Sequence, residues 1–409
     1  MLQALRIRDF RLLWGGSLVS ALGSWLLILA IPAHIFRTTG SLPDTGLTLA
    51  AQYLPLLVFG PVAGVFTDRW DRRRLMVATS LFRAGAVATM LLGTAPGHYW
   101  VLYVALIAES SGGVLYSPAA QARTQGIVGT GTLLSSANSL NAVSDGATRL
   151  IGGPLGGVLL TVCGIKWLIC TDALSYLVSA AAMFMTSRSD NERADHMTTI
   201  GCVARDLIDG VDVLRHQSVV RALLPVTVVF VAANTSLSAV LIPFGVQRLG
   251  GTEHIGFLLS FLGAGFLIGA PVLRALLDRV QPRSLLTASL TATAAAFFLL
   301  FSSSSLTTAL PAAVGIGLFG SMCQVIPLTA TQRLIPNQVL GRVSAVFLTA
   351  EAAATLAGAV AGPFLAQAVH FNGMATLASL LTLSAAAITF LTVPRMPART
   401  PAQVPSSRR

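Results

Sequence analysis

Charged residues are scarce in this chain. Asp, Glu, Lys and Arg make up 11% of its 409 residues, whereas hydrophobic residues make up 54% and the mean hydropathy is +0.74. Soluble domains carry about 25% charged residues, and each charge is costly inside lipid. The composition therefore excludes an ordinary soluble domain and indicates a protein that lies largely within a membrane.

Signatures of enzymes, ATP-driven pumps and metal sites are also missing. The sequence has no phosphate-binding glycine loop followed by Lys-Ser/Thr, no His-x-x-x-His pattern and no Gly-x-Ser-x-Gly elbow. The formal net charge of +11 comes without the interleaved aromatic residues that stack nucleic-acid bases. We therefore expect no catalytic residues, no metal and no nucleic-acid partner.

Long apolar runs follow one another almost without a break. A hydrocarbon core about 30 Å thick needs about 20 apolar residues per spanning helix. The predicted fold class is an all-α membrane protein with twelve transmembrane helices. The predicted spans are 12–36, 46–67, 75–94, 98–119, 136–163, 166–186, 219–243, 254–276, 284–304, 307–330, 343–369 and 372–393.

The arginines predict the orientation of these spans. Most lie at the two ends of the chain and in the loops after even-numbered spans, whereas the other side carries Arg37, Lys166 and Arg248. Cytoplasmic loops are enriched in positive charge. We expect a multi-pass protein of a bacterial cytoplasmic (inner) membrane with both termini in the cytoplasm, and a first helix that is retained rather than cleaved.

An internal repeat divides the chain into two halves. Four landmarks recur at an offset of 209 or 210 residues, and they predict two parallel repeats of six spans with a substrate site between them. The landmark pairs are Gly60-Pro61 with Ala270-Pro271, Asp68-Arg69 and Arg73 with Asp278-Arg279 and Arg283, Pro118 with Pro327, and Gly153-Pro154 with Gly362-Pro363.

This repeat sets the predicted domain boundaries. Residues 1–186 and 219–393 form the two six-helix bundles, and 187–218 form a cytoplasmic linker. In the linker, an apolar face of Val203, Leu207, Ile208, Val211 and Leu214 predicts an amphipathic helix. Residues 394–409 are rich in Pro, Ser and Arg and are predicted to be a disordered cytoplasmic tail.

Two motifs stand out within the first half. The loop between spans 2 and 3 combines a compact bend with a dense positive cluster, formed by Gly64, Asp68, Arg69, Arg72 and Arg73. Span 5 carries a glycine-rich motif around one proline, formed by Gly152, Gly153, Pro154, Gly156 and Gly157. We expect these glycines to allow close packing at the interface between the halves.

Together with the twelve spans, these motifs resemble the major facilitator superfamily. The loop is similar to its G-x-x-x-D-R-x-x-R-R signature, which in that family is a latch that holds one state of the alternating-access cycle. The span 5 motif resembles a G-P-x-x-G-G signature of exporters in the superfamily, although Arg149 stands where that motif has a glycine. The chain looks like the drug–proton antiporter subfamily that includes macrolide and tetracycline efflux proteins and the enterobactin exporter.

Charges within the predicted spans are candidate functional groups. Asp145 and Arg149 are one helical turn apart and are expected to pair, with Asn138 and Asn141 on the same polar stripe. Asp145, tuned by Arg149, and Glu109 of span 4 are the candidates for proton coupling, although a structural ion pair would explain Asp145 and Arg149 equally.

Two further charges are predicted to have minor roles. We expect Arg83 of span 3 to snorkel towards the cytoplasmic surface and Asp172 of span 6 to cap the helix or face solvent.

The resulting hypothesis is a proton-coupled secondary transporter, not an enzyme, that exports small amphipathic or hydrophobic compounds. It would use the proton gradient and no cofactor, lie in the lipid bilayer, take a small-molecule substrate and, by family resemblance, work as a monomer. The alternatives are a siderophore or metabolite exporter or importer of the same fold, and a flippase of the lysophospholipid type.

Overall fold

A computed structural model describes residues 2–95, 97–129, 131–187, 200–250, 252–277 and 280–394. Within a few helices it describes the backbone without the side chain. Most of the predicted tail, 395–409, and part of the predicted linker, 188–199, lie outside the described residues.

The described elements are helices. A 3-10 helix, Leu2–Arg6, precedes α1. The α-helices are α1 (Arg8–Thr39), α2 (Leu42–Arg69), α3 (Arg72–Gly93), α4 (Trp100–Val128), α5 (Thr132–Val162), α6 (Ile165–Phe184), α7 (Ile200–His216), α8 (Ser218–Arg248), α9 (Thr252–Leu277), α10 (Pro282–Ser302), α11 (Leu306–Leu334) and α12 (Asn337–Thr392).

Helix α12 consists of two helices joined at a kink. His370 has φ 61° and ψ 172°, and a positive φ is uncommon for a residue other than glycine. The kink separates arms 337–369 and 371–392, at the point where the sequence predicts the last loop. With the arms counted separately and α7 set aside, the described chain has twelve helices of spanning length, which confirms the predicted fold class.

By length and composition, nine helices of the described residues qualify as membrane spans, with α12 counted as one. Helices α2 and α5 are not among the nine, although they are 28 and 31 residues long. Both helices contain positions whose side chains lie outside the described residues. These helices establish a multi-pass membrane protein.

The spanning helices form two groups of six. In the first, α1 packs on α5 and α6, α2 on α4, and α3 on α4 and α6. In the second, α8 packs on α12, α9 on α11, and α10 on α11 and α12. The two groups meet where α2 contacts α12 and where α5 contacts α9. These contacts enclose a space between the halves.

The repeat is visible in three dimensions at two equivalent arginines. Arg73, in the first turn of α3, donates to the carbonyl of Phe184 and, at 3.3 Å, to that of Met183, at the end of α6. Arg283, in the first turn of α10, donates to the carbonyl of Phe390 near the end of α12. The guanidinium carbons lie 5.1 and 4.6 Å from the centroids of the Phe184 and Phe390 rings. Each cation therefore satisfies the C-terminal carbonyls of the last helix in its own half.

Helix α7 docks on the second half. Leu214 is buried among α8 and α12 residues. A Cβ on Gly210 would lie 2.6 Å from the backbone oxygen of Arg342, so glycine permits the close approach to α12. Asp209 Oδ2 also lies 3.4 Å from Arg342 Nη1.

The apolar face predicted for this helix is divided in the structure. Leu214 is buried, but Ile208 is 69% exposed and Val211 is also exposed. The side chains of Val203 and Leu207 lie outside the described residues. Helix α7 therefore meets α12 through Gly210 and Leu214, while Ile208 and Val211 point away from the protein, and the predicted amphipathic helix at the cytoplasmic surface stays a prediction.

Candidate functional site

A buried ion pair lies inside the first half. Arg83 of α3 donates to Glu109 of α4 through Nη2 and, at 3.0 Å, through Nε, both to Oε1. Both side chains are 15% exposed. Arg83 lies about halfway along α3, so the prediction that it snorkels to the surface is wrong. A partner on the neighbouring helix neutralises the guanidinium without that movement.

Tyr176 of α6 completes the environment of this pair. Its hydroxyl donates to Glu109 Oε1 at 2.6 Å, and its ring lies 4.2 Å from the Arg83 guanidinium carbon. Ser24 of α1 lies 2.7 Å from the Tyr176 hydroxyl. Tyr176 is fully buried. Helices α1, α3, α4 and α6 are thus joined by one polar network in the middle of an apolar bundle.

Asp172 lies one helical turn before Tyr176 and is 2% exposed. Its Oδ1 accepts a hydrogen bond from Ser175 Oγ at 3.1 Å. Gly23 of α1 packs directly on this group, since a Cβ there would overlap Asp172 Oδ1 and lie 2.5 Å from Ser175 Oγ. The prediction that Asp172 caps a helix or faces solvent is wrong, because α1 covers it.

Asp172 and Glu109 line the same cavity. The cavity has a volume of about 210 Å³ and is bordered by α1, α2, α3, α4 and α6. Gln52, Tyr53 and Ser110 add further polar groups to its wall. Two carboxylates in the wall of one cavity form an environment that favours positive charge.

A second cavity, of about 280 Å³, lies between the two halves. It is bordered by α1, α2, α5, α8 and α9, and its described lining is mostly aliphatic and aromatic, including Trp25, Leu259 and Phe266. Ile28 and Tyr53 line both cavities. The apolar space between the halves therefore adjoins the cavity that holds the carboxylates.

The glycines of α5 serve two different contacts. A Cβ on Gly153 would lie 3.2 Å from Leu259 Cδ1 of α9, in the other half. A Cβ on Gly152 would lie 2.5 Å from Trp25 Cβ, and one on Gly156 would lie 2.5 Å from the backbone oxygen of Leu26, both in α1. The expectation that these glycines lie at the interface between the halves is wrong for Gly152 and Gly156. Gly157 is buried, and the side chain of Pro154 lies outside the described residues.

The polar stripe of α5 borders a third cavity, of about 420 Å³. Asn138, Asn141 and Asp145 line it, and its described wall comes from α1, α4 and α5 of the first half. Asp145 is exposed to this space. The side chain of Arg149 lies outside the described residues, so the predicted pair with Asp145 stays a prediction.

The predicted latch is described in part. The side chains of Asp68 and Arg69 and the surroundings of Gly64 lie outside the described residues, although the backbone of all three belongs to α2. Arg72 begins α3, which Asp71 caps by accepting from the Arg74 backbone N–H at 2.7 Å. Arg73, as described above, binds α6 of its own half. The role of this loop as a latch between states stays a prediction.

Comparison with known proteins supports the likeness seen in the motifs. The sequence profile described as Major Facilitator Superfamily matches residues 13–355 and 223–408. An uncharacterized transporter of this type, YfiS of Bacillus subtilis (strain 168), is 25% identical over 260 residues, which span 62% of this chain and 61% of YfiS. Macrolide efflux protein A of Streptococcus pyogenes is 27% identical over 291 residues, which span 69% of this chain and 70% of that protein.

Among solved structures, a mutant of the nucleoside transporter NupG superposes with a TM-score of 0.75. The match covers 96% of this chain and all of NupG (100%), at 9% sequence identity. At that identity the superposition supports the shared fold alone.

Proposed function

Since the chain belongs to the major facilitator superfamily, we propose that it is a proton-coupled secondary transporter that exports small amphipathic or hydrophobic compounds. The observation that carries this proposal is the apolar cavity between the halves, which adjoins a cavity lined by two carboxylates. The first suits an apolar cargo, and the second can hold a proton.

Alternating access would move the first half against the second around the apolar cavity. The contacts between the halves, α2 with α12 and α5 with α9, flank that cavity. Small residues at the α5–α9 contact, such as Gly153 against Leu259, allow the helices to slide with little interlocking. Cargo and proton must favour different states for their movements to be coupled.

Of the two acids that the sequence suggests for proton coupling, Glu109 has contacts through which a bound proton would affect several helices. Protonation would remove its charge, weaken its ion pair with Arg83 and release the Tyr176 hydroxyl. Because these residues join α3, α4 and α6, a change at one carboxylate would reach three helices. Asp145, in the polar cavity of the first half, is the second candidate, tuned by Arg149.

Export, rather than uptake, is supported by two observations. The glycine-rich motif of α5 is present, and it places α5 against both α1 and α9. Macrolide efflux protein A, by its name an efflux protein, matches over 69% of this chain. We propose the same direction here, a monomer as the working unit, and termini that both lie in the cytoplasm.

The experiment is accumulation of ethidium, chloramphenicol and erythromycin in a bacterial host that lacks its major pumps. Wild type is expected to lower the accumulation of at least one compound, and a protonophore is expected to abolish the effect. Glu109→Gln should lose this activity at normal membrane levels. Asp145→Asn should reduce it.

The matched control is Asp212→Asn, which removes a carboxylate that is exposed on α7. It should behave as wild type. Unchanged accumulation of all three compounds by wild type would reject export of this substrate class, and export that persists with the protonophore would reject proton coupling.

A further inference from the structure

Asp172 is the one member of the buried network whose charge is not matched. Its Oδ1 accepts from the Ser175 hydroxyl, and its other carboxylate oxygen receives no hydrogen bond from any described residue. Arg83 already has an ion-pair partner, because two of its nitrogens donate hydrogen bonds to Glu109. Burying a charge without a partner is costly. A cation that binds here from outside the protein would therefore stabilise the Asp172 carboxylate.

The formal charges of the buried network leave one negative charge in excess. Arg83 contributes one positive charge, and ionised Glu109 and Asp172 contribute one negative charge each. The network therefore carries a net charge of −1 when both acids are ionised and is neutral once a single cation is bound. A divalent cation would leave an excess of positive charge in the same buried space.

The cavity next to Asp172 can receive such a cation. It has a volume of about 210 Å³ and is lined by Asp172, Glu109, Ser24 and Ser110. At Ile28 and Tyr53 it adjoins the apolar cavity between the halves. A molecule with a hydrophobic body and one ammonium group matches this arrangement, with its body between the halves and its charge at Asp172.

We infer that Asp172 is the centre of a binding site for one monovalent cation, occupied either by a proton or by the ammonium group of an amphipathic cargo. This inference rests on the proposed function and adds the chemical class of the cargo. One ligand excludes the other because the net charge of −1 compensates only one of them. Binding of the cargo ammonium therefore sends the Asp172 proton to water, and protonation of Asp172 expels the ammonium.

Every element packed around Asp172 contributes groups that bear on this exchange. The groups that face the cavity or the network are Gly23 and Ser24 of α1, Gln52 and Tyr53 of α2, Arg83 of α3, Glu109 and Ser110 of α4, and Ser175 and Tyr176 of α6. Among these, Arg83 and Glu109 are the charged pair, and they neutralise each other. The exchangeable charge therefore belongs to Asp172.

A binding measurement tests the inference with two probes that share one body. Octyltrimethylammonium is permanently charged and octanol is neutral, so any pH dependence of the difference comes from the protein. Each radiolabelled probe is titrated onto the full chain in nanodiscs by scintillation proximity, with empty nanodiscs subtracted. Wild type should bind octyltrimethylammonium more tightly than octanol. That preference should weaken by up to about tenfold per pH unit as acid protonates the site.

The variant Asp172→Asn keeps the size of the side chain and its hydrogen bond from Ser175. It should weaken octyltrimethylammonium binding at least tenfold, leave octanol binding unchanged and abolish the proton release that a pH indicator reports on cation binding. Asp212→Asn, exposed on α7, is the matched control and should match wild type. Equal affinity of Asp172→Asn and wild type for the cation would overturn the inference.

Gly23→Ala provides a second test that removes no charge. Its Cβ would overlap Asp172 Oδ1 and must displace that carboxylate. Cation affinity should fall while octanol binding stays unchanged, and Gly85→Ala, where no atom lies within 4 Å, should have no effect. Wild-type affinity in Gly23→Ala would contradict the placement of the cation at Asp172.

These outcomes are distinct from those that test export. If wild type lowers chloramphenicol accumulation but shows no saturable octyltrimethylammonium binding, the cation site is rejected and the exporter stands. If the cation binds at Asp172 but no compound is exported, the exporter is rejected and the site stands.

Discussion

The ion pair between Arg83 and Glu109 predicts unequal effects for the loss of its two partners. Arg83→Gln would leave Glu109 and Asp172 as two carboxylates in one buried cavity without a cation. Glu109→Gln would leave the Arg83 guanidinium facing Asp172, so that the network becomes neutral overall. The first change should therefore destabilise the protein more than the second.

The expected losses in the free energy of unfolding follow from the type of interaction that each variant removes. Removing one partner of a buried ion pair costs about 3–5 kcal/mol, and Arg83→Gln is expected in that range. A hydrogen bond to a charged group contributes about 1.5–3 kcal/mol, and Glu109→Gln is expected in this lower range because Asp172 remains to balance Arg83. The double variant restores the net charge of −1 and should be more stable than Arg83→Gln alone.

Equilibrium unfolding in mixed micelles of dodecyl maltoside and SDS, followed by tryptophan fluorescence, measures these free energies. Arg11→Gln, at an exposed position of α1, is the control for loss of one arginine charge. The charge argument is refuted if Glu109→Gln lowers the free energy of unfolding as much as Arg83→Gln does. It is also refuted if the double variant is less stable than both single variants.

Two further predictions concern packing and helix ends. Gly156→Ala should destabilise the protein by about 1–3 kcal/mol, because its Cβ would lie 2.5 Å from the immobile backbone oxygen of Leu26. Gly85→Ala, with open space around it, should be neutral or stabilise by up to about 1 kcal/mol, and equal melting temperatures for the two variants would contradict the packing. Arg283→Gln should lower the free energy of unfolding by about 0.3–1 kcal/mol. It should also speed amide hydrogen exchange around Phe390, whose carbonyl accepts a hydrogen bond from Arg283. Unchanged exchange there would show that this contact does not hold the helix end.

The fold could be predicted from the sequence because lipid imposes strong and local constraints. Each span needs its own run of apolar residues, so twelve runs predict twelve helices whatever their packing. The division into two halves could also be predicted, because the same landmarks recur at a nearly constant offset. The break at 370 could be predicted because the apolar run is interrupted there. The helices extend beyond the predicted spans, as α4 does to Val128, because helical hydrogen bonds continue past the apolar segment.

The buried network could not be assembled from the sequence. Arg83, Glu109 and Asp172 lie on three helices, and hydropathy does not tell which faces of those helices meet. A spacing of four residues places Asp145 and Arg149 on one face of one helix, so their proximity can be predicted from the sequence. The pairing of Arg83 with Glu109 joins two helices and cannot be predicted in this way. The available signal was that each of the three stands in an apolar helix, where a charge is expensive.

The second half shows that the network is not required for packing. At the repeat offsets of 210 and 209 residues, Arg83 corresponds to Thr293 and Glu109 to Leu318. At the offset of 206 that relates Phe184 to Phe390, Asp172 corresponds to Ala378.

These neutral residues pack within the same scaffold, since Thr293 and Ala378 are fully buried and α10 contacts α11 and α12 as α3 contacts α4 and α6. A six-helix bundle of this kind therefore forms without the three charges. Because buried ion pairs add little net stability over apolar residues of similar volume, their presence in the first half alone is better explained by cation and proton binding than by folding.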